Sequence, residues 1–371
     1  MSTAATHSLA TCRVSGTGLM LLEKGKRLPS IMEYAHSLMP IDFPEDESWI
    51  NRSGLVSELG IDLLIPVVTA AGRYRFMPGP EFPPRLYRGQ NQFFTKCIPS
   101  IYRVRGDIDA LYWVTKAIEL SAVMDRHPAT WDLMAQQIEG LTFALSIDAL
   151  AQHYQYPTQL LGFSHSKDVA MFFATCAYDD ESETYRPLES GTATLYTVDF
   201  RELILQRGGR GDFMPLGLEP LPRPEVQRAL AVRLGPDENL NDMPWVRRSD
   251  IEITIGLSHR YFEMFDGGKT LFPTNPFDDY IAQLRTNRTV PLQALEFGLG
   301  QGLLPAHPAG VSGAQKALMS AGYIVKDCAV EIGASVIHGA TEEWALRQAD
   351  YFRRIRMRGV ADHVVLEDVS K

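Results

Sequence analysis

Apolar residues recur at helical spacing in three stretches of the chain's first half. Over residues 108–124, Ile108, Leu111, Tyr112, Thr115, Ile118 and Ala122 form one stripe, with Asp107 ahead of it as a cap. Residues 131–154 place Leu133, Met134, Ile138, Leu141, Leu145 and Leu150 at intervals that predict a long buried helix, stopped at Pro157 by its missing N–H. A third helix is predicted over 167–178, dense in Val169, Met171, Phe172 and Phe173, with Ser166 as N-cap and Asp168 in its first turn. Short β-prone runs lie around these helices: Leu86-Tyr87-Arg88, then 192–200, 228–234 and 251–255, the last alternating Ile251, Ile253 and Ile255. Helices over 259–265, closing on Gly267-Gly268, and over 277–284 complete this part.

Strands separated by helices and long loops favour an α+β fold, with split small mixed β-sheets and helices packed alongside, over a doubly wound parallel sheet. Before this part, residues 18–71 alternate apolar clusters with Pro and Gly and read as a lead-in of short elements. The Pro/Gly-dense run 78–84 reads as an ordered connector with a boundary near residue 80. Beyond Asn287, Gly298-x-Gly300-x-Gly302 reads as a turn, 323–338 as strand-like, and 342–358 as an amphipathic helix ending in arginines. Three regions result: 1–80, 81–285 and 286–371.

Composition narrows the class. Of 371 residues, 45 are acidic and 36 basic, a net charge of −9, which disfavours wholesale wrapping of a phosphate backbone and leaves only local basic clusters for such contacts. No uncharged apolar run approaches the ~20 residues that cross a bilayer, and the N-terminus lacks the pattern of a secretory leader, so a cytoplasmic protein with no membrane partner is expected. Cys12, Cys97, Cys176 and Cys328 lie too far apart for a zinc knuckle; reduced thiols and no metal are expected.

Four polar segments could carry chemistry. In Leu86-Tyr87-Arg88-Gly89-Gln90, an arginine beside a glycine on a strand can give a diphosphate or carboxylate two parallel donors, reinforced by Lys96, Arg103 and Arg105; a structural arginine bound to a carbonyl is the alternative. Gly89 is expected to supply a backbone conformation closed to other residues. In 153–158, His153 and Thr158 could line a cleft with Tyr154 or Tyr156 stacking on a ring, whereas a protonated histidine at a helix C-terminus also suffices structurally. In 163–170, the cap role explains Ser166, and a Ser164 hydroxyl could hold a catalytic side chain in one rotamer. In 222–228, Glu225 and Gln227 would share a face of an extended backbone and could recognise a ribose hydroxyl or polarise a nucleophile, or else belong to a solvated loop.

With these residues in view, the chain resembles the FRG domain family. The resemblance rests on Tyr87-Arg88-Gly89-Gln90, Ser100-Ile101-Tyr102-Arg103, Gln152-His153-Tyr154 with Pro157-Thr158 and Leu160-Leu161, Val169-Ala170 with Phe172-Phe173-Ala174, Arg223 with Gln227, and Leu271-Phe272-Pro273. It departs from the family at Gln159 and Gly162-Phe163. A more distant resemblance, to the Arg-Ser-Glu class of ADP-ribosyltransferases, implies a cleft between two sheet halves that holds NAD as substrate. It implies that Arg88 grips the phosphates, that Ser164 with Ser166 beside it orients the site, and that the Glu225/Gln227 pair holds the ribose and assists transfer. The chain carries Gln227 where that class has its catalytic glutamate. The resemblance thus implies transfer of ADP-ribose to a macromolecule, or NAD hydrolysis. A non-catalytic module recognising protein or nucleic acid is the alternative, and oligomerisation stays open.

Overall fold

A computed structural model describes residues 9–13, 19–23, 28–37, 64–78, 85–179, 181–208, 213–216, 218–304, 309–327 and 332–355. Most of the Pro/Gly connector, and Arg356 and Arg358, lie outside these residues. Six antiparallel strands form the central sheet: β1 (Arg85–Gln90), β2 (Leu160–Ser164), β3 (Ser190–Asp199), β4 (Phe213–Pro215), β5 (Ala229–Arg233) and β6 (Val246–Thr254). Their spatial order is β4-β5-β2-β1-β3-β6, and smaller two-stranded sheets surround them, so the fold is α+β with separate small sheets.

The sheet is nearly split. β5 pairs with β2 along its whole length, Ala229↔Ser164 to Arg233↔Leu160, and β1 pairs with β3 from Arg85 to Gln90. Between these halves, β1 and β2 meet at one pair only, Tyr87↔Ser164. Past it the strands diverge, and the Gly162 carbonyl, left without a ladder partner from β1, accepts instead from Arg88 Nη1 at 2.9 Å.

Alternation along the strands sorts side chains onto two faces. Leu86 packs with Leu161, Phe163, Tyr196, Val198, Leu230 and Val232, on the face closed by the Ile31–Ser37 and Phe200–Arg207 helices. Tyr87 packs on the other face against Val169, Ala170 and Phe172 of the Lys167–Thr175 helix, and the Ile147–His153 helix sets Ala149 against Leu160 and Ala231. At Gly89 the Lys167–Thr175 helix comes so close that a Cβ would lie 1.7 Å from the Ala170 carbonyl oxygen and 2.8 Å from the Ala174 nitrogen. Gly89 is not among the residues with positive φ, so close approach of a helix backbone, not an unusual conformation, is what requires glycine here.

Several predicted elements need correction. The long helix over 131–154 is two helices, Pro128–Ala135 and Ile147–His153, separated by a two-stranded hairpin whose turn places Glu139 (φ 51°) and Gly140 (φ 75°) in the left-handed region. Helicity ends at His153 before Pro157 is reached, with Gln155 left-handed at φ 64°. The Gly106–Met124 helix has Arg105 at its cap position, and Asp107 lies in its first turn. Thr175 ends the third helix, because Cys176–Asp179 pairs as a strand with Thr184–Pro187. Gly298 and Gly300 belong to the Leu292–Gly300 helix, leaving the turn to Gln301 and Gly302, and among the described residues of the 323–338 run only Ile324–Lys326 is strand.

The flanking regions pack together on the central part. Leu28, Leu64, Tyr74 and Phe76 share one core with Trp344, Tyr351 and Phe352 of the Ala334–Arg354 helix, which Trp344 Nε1 ties to Asp132 at 2.6 Å. The Leu292–Gly300 and Gly310–Ser320 helices bury Leu295, Ala314 and Leu318 against Leu111 and Tyr112.

Candidate functional site

The sequence-predicted residues fall into two groups at the seam. Ser164 ends β2 and is buried; its hydroxyl donates to the Gln227 carbonyl at 2.7 Å and accepts from the Ser166 N–H at 2.9 Å. Ser166 caps the following helix through Val169 N–H, so the cap expectation holds and its hydroxyl is committed. Gln227 is buried just ahead of β5, and its amide is committed at both ends. Nε2 donates to the Leu271 carbonyl at 2.9 Å, and Oε1 faces His153 Nδ1 at 2.9 Å.

Those two contacts fix the histidine's tautomer. Because Gln227 Oε1 only accepts, His153 carries its proton on Nδ1 and leaves a bare lone pair on Nε2, which is covered and without a partner. Burial, with a smaller contribution from the Arg223 charge, lowers the His153 pKa to about 4 against the opposing bond to Gln227, so the ring is neutral at pH 7. A protonated histidine serving the helix dipole is therefore not the reason for its place. His165 is also neutral, its pKa lowered to about 4 by burial and the Arg228 charge, and its ring stands edge-on to Phe200.

Glu225 and Gln227 do not share a face of an extended strand. Residues Arg223–Val226 form a helical turn, Gln227 keeps helical dihedrals at its end, and Arg228 (φ 47°) then swings the chain into β5. On a helical turn, side chains two apart point in nearly opposite directions, which separates the carboxylate from the amide. Tyr154 is buried, with the Arg223 guanidinium 4.2 Å from its ring centroid, and Arg223 pairs with Asp278 at 3.0 Å. Tyr156 is buried too, its hydroxyl donating to the Ile281 carbonyl. Asp278 was not legible in the sequence: of the Asp278-Asp279 pair opening a helix, neither carries a mark of a partner 55 residues earlier.

The second group faces the other way. Arg88 leaves β1 on the Leu86 side, whereas Ser164 shares the Tyr87 side, so no hydrogen bond joins Arg88 to the Ser164–Gln227–His153 chain. Arg88 is half-buried; beyond its bond to Gly162 its Nε is covered and unpartnered. Arg103, exposed at the end of the Ser100–Arg103 turn, lies near enough that the Arg88 charge adds to desolvation in lowering its pKa. Among the described residues neither guanidinium has a carboxylate partner. The turn bearing Arg103 is fixed to the start of β2: Thr158 N–H donates to Ser100 Oγ at 3.1 Å, and Ile101 N–H to the Thr158 carbonyl at 3.2 Å. Thr158 is thereby buried as the anchor of that turn, its own hydroxyl accepting from Leu160 N–H.

Chemically, the first group is a polar chain closed on itself except at His153 Nε2, and the second a pair of cations without carboxylate partners at a gap in a sheet. Among the described residues no group of three or more His, Cys, Asp or Glu is placed to hold a metal ion, and no helix is long and apolar enough to cross a membrane. Residues 84–183 match the family model of the FRG domain. The match spans Arg88, Arg103, His153, Thr158, Ser164 and Ser166 and stops short of Glu225 and Gln227. No curated protein matches the chain, nor does any solved structure.

Proposed function

We propose that the FRG-matching part is a recognition module that binds a diphosphate-bearing nucleotide of the NAD type at the sheet seam, through Arg88 and Arg103. The observation that carries this reading is the guanidinium pair without a carboxylate. Like charges held close repel, and a diphosphate bridging them would turn that repulsion into two sets of charge-assisted hydrogen bonds. Arg88 is aimed by the Gly162 carbonyl, and the turn that carries Arg103 is fixed to Thr158, so the backbone at both positions is set before binding.

A second reading, transfer of ADP-ribose or hydrolysis of NAD, draws on the split sheet. That reading needs a carboxylate or a free amide at the developing positive ribose. Gln227 offers neither while His153 and Leu271 hold its amide, and Glu225 would have to serve instead. Calorimetry with NAD and ADP-ribose, paired with measurement of released nicotinamide, separates the two. Recognition predicts binding that falls at least tenfold in R88A and R103A with no nicotinamide release. Release by the wild type that is lost in E225A establishes the enzyme instead, and unchanged affinity in R88A removes the seam from both readings.

A further inference from the structure

A second cationic and aromatic site lies along the Gly106–Met124 helix, where the C-terminal region joins the central part. A groove of about 450 Å³ there is lined by Tyr112, Trp113, Arg285, Thr286, Arg288 and Tyr323, a size suited to a small ligand. We propose that this groove binds a nucleotide unit, its base against the aromatic wall at Trp113 and its phosphate between Arg285 and Arg288.

Charge comes first. In a chain with nine more acids than bases, two arginines line one groove and neither has a carboxylate partner among the described residues. Arg285 donates to Gln155 Oε1, and Arg288 to the Ala321 carbonyl at 3.2 Å, so each guanidinium keeps further donors for a phosphate. Of the nearby acids, Glu119 pairs with the buried Lys116, and Asp109 accepts from the hydroxyl of groove-lining Tyr323 at 2.6 Å, without pairing with either arginine. Gly322, at φ 83°, turns the chain so that Ala321 can present its carbonyl to Arg288.

The rings are set in advance. Tyr112 and Tyr323 stack at 4.1 Å and 14°, Arg288 lies 5.0 Å from the Tyr323 ring centroid, and Trp113 stands edge-on to both Tyr112 and Tyr156. The Tyr112 hydroxyl is fixed to the Asn287 carbonyl at 2.6 Å. Trp113 is half-buried, and its indole N–H has no hydrogen-bond partner among the described residues, leaving a donor for a base edge or ribose. A rigid aromatic wall flanked by arginines suits a planar ring carrying a negative charge, because stacking and cation–π attraction act on the same ligand. An aliphatic acid would use the cations and waste the wall.

The nucleotide could be free or part of a single strand, and two probes separate these sources. The full-length protein is titrated with a fluorescein-labelled oligothymidylate decamer, followed by anisotropy, and with AMP, followed by calorimetry. At least one probe should bind the wild type, weaken tenfold or more in R285Q/R288Q, and be retained by R88A, since the seam is a separate site. For the decamer, log K should fall with log salt at a slope of about −1.4 if two phosphates are engaged, and this slope should flatten in the double variant. Binding of the decamer alone assigns the groove to a strand; binding of AMP assigns it to a free nucleotide. If the double variant loses its thermal transition, R288Q, altered at an exposed position, should still weaken binding at least threefold. The proposal is overturned if neither probe binds, if R285Q/R288Q (or R288Q in its place) binds like wild type, or if R88A alone loses the probe. The last result would place the nucleotide at the seam and support the reading made there.

Discussion

Adding a single methyl group at Gly89 tests why the Arg88-Gly89 pair exists. In Gly89→Ala the new Cβ would sit 1.7 Å from the Ala170 carbonyl oxygen, so the Lys167–Thr175 helix must retreat by roughly 1.7 Å to reach a 3.4 Å contact. Overpacking against side chains that can yield costs about 1–3 kcal/mol. Here the obstacle is helix backbone, and its retreat would also loosen Tyr87 from Val169 and Phe172, so a loss of at least about 3 kcal/mol is expected. That is a large part of the ~5–15 kcal/mol that holds a typical domain together. Gly298→Ala makes the internal comparison: its Cβ would meet the ends of flexible side chains, Ile118 Cδ1 at 2.6 Å and Leu304 Cδ1 at 2.7 Å, and should cost only about 1 kcal/mol. Urea denaturation followed by circular dichroism measures both. A Gly89→Ala protein within 1 kcal/mol of wild type, or one no worse than Gly298→Ala, would refute the claim that helix-to-strand approach demands this glycine.

Acid should destabilise the fold through its buried histidines. His127, His153 and His165 are held at pKa values of about 3, 4 and 4, mainly by burial, against about 6.5 in the unfolded chain. Their stabilising contribution is therefore complete above pH 6.5 and is lost as pH falls toward 4, by roughly 2–3 kcal/mol per histidine. Of the nine histidines, three should show ring-proton NMR shifts that stay flat from pH 7.5 to 5; midpoints near 6.5 for all nine would contradict the burial argument. Gln227→Glu replaces the N–H that meets the Leu271 carbonyl with an oxygen and should cost about 1–3 kcal/mol at pH 7 by urea denaturation. If the variant instead folds as stably as wild type and releases nicotinamide from NAD, residue 227 faces a ligand and the closed polar chain described above is wrong.

Much of the central part could be read from the chain because local physics decides it. The stripe over 108–124, the Ser166 cap and the alternation at Ile251 and Ile253 each depend on neighbours a few residues away and form close to where they were expected, whereas Ile255, expected to continue the alternation, is exposed and opens the following helix. The 131–154 run failed for the same reason. Its apolar spacing suits a helix, but Glu139 and Gly140 adopt a left-handed turn that periodicity does not register. The motif residues Arg88, His153, Ser164 and Gln227 were also visible in the sequence, since an arginine, a histidine and hydroxyls set among apolar runs stand out.

What those residues do to one another was decided only by the tertiary structure. One strand pair, Tyr87↔Ser164, sets the parity of both halves of the sheet, and through it Arg88 falls on one face and Ser164 on the other. Two residues of helical backbone at Glu225 likewise separate an acid from an amide that an extended chain would have kept together. The partners of Gln227 and Arg223 come from 44 to 74 residues away, at Leu271, His153 and Asp278. Sequence spacing carries local periodicity, and contacts at such separations exist only once the chain has packed.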